Sequence, residues 1–124
     1  MPRVEFDPNL TVTCELSFDG APSSISFLAR TEVGTDFDGD GDMDPGSTIV
    51  GESFSSPKRD LGPGVNFIHR VTDVVVFYVH NPDSNAATIT ATLSQGGEPL
   101  KNGTVSRPAP KKDQPGPVIF RFWS

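Results

Sequence analysis

The chain of 124 residues carries 16 acidic and 10 basic side chains, a formal net charge of −6 and a single cysteine. Such a charge disfavours a phosphate backbone as partner, and one cysteine excludes an internal disulfide. The length is that of one domain, residues 1–124, and no apolar run is long enough to insert into a membrane.

Twelve glycines and twelve prolines suit short strands joined by many turns. From Leu10 to Phe18 the chain alternates strictly, with Leu10, Val12, Cys14, Leu16 and Phe18 on one face. This is a half-buried strand ending at the Asp19-Gly20 turn. Ser24 to Arg30 follows with Ile25, Phe27 and Ala29 inward, so the two strands read as a hairpin. An Asp- and Gly-rich loop, residues 34–46, then interrupts, and a short strand is expected from Thr48 to Phe54. Ser55 to Gly64 reads as a loop and Val65 to Val71 as a strand. Val74 to His80 is the most apolar stretch and reads as a central strand buried on both faces. After the turn signal Asn81-Pro82-Asp83, Ala87 to Ser94 alternates again with Ile89, Ala91 and Leu93 inward. Asn102-Gly103 is expected to be a hairpin turn. The Pro-rich segment 107–117 is extended, and the last strand is Val118 to Trp123. About eight short strands without an amphipathic helix predict an all-β antiparallel sandwich, immunoglobulin-like or jelly-roll.

The sharpest chemical signal is Asp36-Phe37-Asp38-Gly39-Asp40-Gly41-Asp42-Met43-Asp44. Calcium takes six to eight oxygen ligands, and carboxylates at positions 1, 3 and 5 of a tight loop converge on one ion. Position 6 turns sharply and is Gly41; position 7, Asp42, ligates through its carbonyl; position 9 is Asp44. Without a cation, aspartates this close repel one another. The segment resembles the calcium loops of dockerins, thrombospondin type 3 repeats and FG-GAP repeats. The resemblance covers nine residues and implies Asp36, Asp38, Asp40 and Asp44 as side-chain ligands of Ca2+. It departs from the EF-hand at position 12, where Ser47 stands in place of a bidentate glutamate. Glu32, Glu52 and Asp60 are the candidates for the missing carboxylate.

Catalytic patterns are weak. The histidines, His69 and His80, share no motif with an acid, and no nucleophile elbow, zinc motif or phosphate loop occurs. Cys14 alternates with core positions and reads as a small hydrophobe. In the last strand Phe120 and Phe122 alternate with Trp123, so Arg121, Phe122 and Trp123 are candidates for a contact with another subunit. The stretch from Val74 to Leu93 looks like an immunoglobulin-like hairpin, similar to those of surface-layer proteins, adhesins and phage virion proteins. The start, Met1-Pro2-Arg3-Val4-Glu5, lacks the apolar core of a secretory signal. These features predict a non-enzymatic, calcium-stabilised structural or interaction module. Its expected place is a virion, as a capsid decoration or accessory protein, or another extracellular surface or lattice, with protein partners or self-assembly. The alternative is a carbohydrate-binding module or adhesin domain.

Overall fold

Alternation of side chains organises β1 (Thr11–Phe18), where Val12, Cys14 and Leu16 are buried and Thr11, Glu15 and Ser17 are exposed. β2 (Ser24–Glu32) buries Phe27 and Ala29 in the same way. The computed structural model describes residues 3–19, 24–32, 47–49, 57–79, 88–110 and 117–124. Within them follow β3 (Ser47–Ile49), β4 (Lys58–Pro63), a 3-10 turn (Gly64–Asn66), β5 (Val71–Val79), β6 (Thr88–Gln95), β7 (Glu98–Pro108) and β8 (Pro117–Trp123). Among the described residues no helix is long and apolar enough to cross a membrane.

The strands form two antiparallel sheets, β4-β1-β6-β7 and β3-β2-β5-β8. Their inner faces meet in one core. Val12, Cys14, Leu16, Ile89, Ala91 and Leu93 of the first sheet pack with Phe27, Ala29, Val74, Val76, Phe120 and Phe122 of the second. Removing each such side chain from water contributes about 1.5–3 kcal/mol for the larger ones, which is why alternation specifies the layers. The pairs nest: β1 with β4 around β2 with β3, and β5 with β8 around β6 with β7. Pairs β1 with β6 and β2 with β5 join the two nests. Two nested antiparallel keys joined in this order are a jelly roll. Its chain ends lie side by side, the Val4 amide donating to the Trp123 carbonyl at 2.7 Å.

Four expectations are corrected. β1 and β2 are not a hairpin: they lie in different sheets, because the core faces of both need cover from the opposite layer. Residues 58–63, expected as loop, are the edge strand β4, which buries only Leu61 and holds to β1 through its backbone. Residues 65–71, expected as strand, begin as a 3-10 turn. Gly64 lies so close under the Asp7 carbonyl that a Cβ would stand 2.0 Å from it, and Phe67 turns in to meet Phe6 at a ring separation of 5.5 Å. Asn102-Gly103 is not a turn but a bulge within β7, Asn102 having φ 64°. The hairpin turn is Gly96-Gly97, with φ 60° and 79°, the positive pair that a two-residue turn requires.

The buried Gln95 side chain fastens the N-terminal segment. Its Oε1 accepts from the Asp7 amide at 2.9 Å, and its Nε2 donates to the Asp7 and Leu10 carbonyls at 2.8 and 2.9 Å. At the other border of the first sheet, β7 carries Pro99, Lys101, the bulge, Arg107 and Pro108 along its edge.

Candidate functional site on the outer face of the second sheet

The two outer faces differ in chemistry. On the first sheet, aligned rows read Ser17–Thr90–Ser106, Glu15–Thr92–Thr104 and Thr13–Ser94. The hydroxyls of Thr90 and Ser106 bond across the strands at 2.8 Å, and Lys58 stands 3.8 Å from Glu15. This is the solvated face of an antiparallel sheet.

The second sheet is different because β5 is apolar on both sides. Thr72, Val74 and Val76 alternate with Val71, Asp73, Val75 and Phe77, and the latter set faces outward in register with β2 and β8. The outward rows are Leu28–Val75–Ile119, Ser26–Phe77–Pro117, Arg30–Asp73–Arg121 and, at the register of Val71, Glu32–Val71–Trp123. Phe77 and Ile119 are 44% and 41% exposed. Amid these apolar side chains Asp73 is 0% exposed. Arg121 holds it with a two-pronged bond, Nε to Oδ1 at 2.8 Å and Nη2 to Oδ2 at 3.0 Å. Arg30 flanks it, its Nη2 at 3.6 Å from Oδ2. A fully buried carboxylate requires such partners, and the planar guanidinium fork matches it in shape.

Of the predicted contact residues, Arg121 and Trp123 lie on this face. Phe122 does not: it is buried in the core, on the opposite side of β8. Trp123 is half-buried, and its Nε1 is buried without a hydrogen-bond partner. Asp36, Asp38, Asp40, Asp42 and Asp44 lie outside the described residues, as do Glu52 and His80. The strands on either side of residues 33–46 are described: β2 and β3 pair with Glu32 opposite Ser47. Asp60, a candidate ligand, is on β4 and accepts from the Thr13 hydroxyl at 2.9 Å. Among the described residues there is no cluster of three or more His, Cys, Asp or Glu side chains.

His69 is exposed with φ 58°. It borders a groove of about 670 Å³ that Arg3, Phe6, Ile68 and Ser124 also line. Cys14 is fully buried, and burial, helped by the charge of Glu15, pushes its thiol up to about 12. That removes the thiolate on which nucleophilic chemistry depends.

Asp73, Arg30, Leu28, Val75 and Ile119 went unnoticed in the sequence. The available signal was the one aspartate inside the apolar run Val71–Val79, which demands a counter-charge on a neighbouring strand. Arg121, set inside the otherwise apolar β8, and Arg30 in β2 are the matching partners. In comparisons with known proteins, no family model, no curated protein and no solved structure matches this chain.

Proposed function

We propose that the domain is a non-enzymatic structural or interaction module that docks through the outer face of its second sheet. In this reading a calcium ion, held by Asp36, Asp38, Asp40, Asp42 and Asp44, braces the connection between β2 and β3. The observation that carries it is the contrast between the faces: hydroxyl rows on one, and on the other Leu28, Val75, Phe77, Ile119 and Trp123 around a charged row. Of these, Phe77 and Ile119 are exposed, Leu28 and Trp123 half-buried and Val75 buried; apolar side chains gathered on one face mark an interaction surface. The calcium part is supported by the ligand spacing in the loop, and by the Glu32–Ser47 pair, which holds the loop's stems in register. A place in a virion or another extracellular lattice suits a jelly roll, an architecture shared with capsid domains, though that is analogy of fold rather than of site. Sugar binding has less behind it, since the chain has one Trp and one Tyr from which to build an aromatic platform and Trp123 is half-buried.

Two measurements test the reading. Calcium at millimolar concentration raises the melting temperature, a chelator lowers it, and Asp38→Asn with Asp40→Asn removes the response; a melt indifferent to calcium overturns the metal part. In its native source the chain sediments with a larger assembly. Sedimentation as a free 13.3 kDa species overturns the docking part.

A further inference from the structure

We infer that the partner of this face presents a carboxylate set among apolar side chains, and that Arg30 receives it. The inference rests on the docking role proposed above and names the partner's chemistry. Both oxygens of Asp73 are already bound by Arg121 at hydrogen-bonding distance, whereas Arg30 stands at 3.6 Å, beyond a true hydrogen bond. Its Nε is buried without a partner. One carboxylate thus faces two guanidiniums, neither of which loses its charge. The row carries one net positive charge on a chain of net charge −6. Leu28, Val75 and Ile119 form the next row, so an apolar partner laid here strips water from Arg30. An unpaired guanidinium in a dry contact is strongly unfavourable, and an incoming carboxylate removes that penalty.

The same charges argue against the same face of a second copy. The carboxylate of that row, Asp73, is 0% exposed and already bound, so a second copy laid row against row would oppose Arg30 and Arg121 to their like. Like charges facing each other across an interface suppress the pairing. The partner is therefore an acidic, apolar protein segment.

The test uses the full chain, labelled with nitrogen-15, and two capped peptides: Ser-Leu-Asp-Leu-Asp-Leu-Ser, and its counterpart with asparagine for aspartate. Arg30 Nε–H and Trp123 Nε1–H report directly, being buried protons of this face. The aspartate peptide shifts both resonances, binds about tenfold more tightly than the asparagine peptide, as one charge-assisted pair allows, and loses that advantage in Arg30→Gln or in high salt. Arg30→Lys, which keeps the charge without the fork, retains part of it. Equal binding of the two peptides, with shifts at Leu28 and Ile119, refutes the role of Arg30 while leaving the docking face standing. No shift with either peptide refutes both. Concentration-dependent shifts of the same resonances without peptide, with dimer in sedimentation equilibrium, assign the face to a second copy and also overturn the inference.

Discussion

Removing the two members of the Arg121–Asp73 pair one at a time has unequal consequences. Asp73 is 0% exposed, whereas the Arg30 and Arg121 side chains are 37% and 40% exposed. Arg121→Met leaves a carboxylate that no water reaches, with Arg30 the remaining ion-pair partner among the described residues. Breaking a buried pair from that side costs about 3–5 kcal/mol, and Arg30 closing in from 3.6 Å brings the expectation to about 3 kcal/mol. Asp73→Asn instead leaves guanidiniums that turn to solvent, and the amide oxygen still accepts one bond. The loss is about 1–2 kcal/mol, the value of a charge-assisted bond partly replaced. The double variant is less destabilised than the sum of the two, because the groups form one network. Urea unfolding followed by the fluorescence of Trp123, the single tryptophan, measures this. With a slope of about 1.5 kcal/mol per molar, Arg121→Met lowers the midpoint by about 2 M and Asp73→Asn by about 1 M. If Asp73→Asn costs as much as Arg121→Met, or if the two losses simply add, the charge-burial reasoning is wrong.

Two further outcomes follow from groups inside the sandwich. Thr72 is buried with a hydroxyl that has no partner, so Thr72→Val keeps the shape, removes the unsatisfied group and stabilises by about 1–2 kcal/mol; a lower melting temperature would show that the hydroxyl is bonded after all. The thiol of Cys14, raised from 9.0 to about 12, reacts with a disulfide reagent at pH 8 only as fast as the chain unfolds. Its contribution to stability is complete below pH 9 and is lost as pH rises toward 12, because the unfolded chain gives up that proton first; a Cys14→Ala variant with the same slope in this window contradicts it.

How much of this was legible depends on where the side chains pointed. In β1 and β6 the burial of Val12, Cys14, Leu16, Ile89, Ala91 and Leu93 follows a period of two, and periodicity is what a sequence displays directly. β4 offered only Leu61, since an edge strand is held by backbone bonds that any side chain permits. The Asp19-Gly20 turn suggested a hairpin because a turn within a sheet and a step between sheets use the same residues; only the opposing layer decides. Gly96-Gly97 took the hairpin turn that Asn102-Gly103 also advertised, and the second signal became a bulge. The outer face was hidden for a related reason. Val74 to His80 read as buried on both sides; Val74, Val75 and Val76 are buried and Phe77 is exposed, and what flanks the outward set comes from β2 and β8, distant in the chain. The aspartate loop could be read for chemistry because its ligands are adjacent in sequence, and its residues lie outside those the structure describes.

The border strand β7 has a consequence for growth. Prolines at 99 and 108 lack amide hydrogens, Lys101 and Arg107 would carry charge into any neighbouring strand, and the bulge at Asn102 bends the line of bonding groups. A neighbour cannot be stitched on along this border to lengthen the sheet, the step that seeds fibrils. A copy or partner that approaches this border must pack against it without extending the sheet, each hydrogen-bond ladder kept within its own chain. Contacts of that kind form and part without any molecule opening, so an assembly that used this border would come apart on dilution or in salt rather than by denaturation.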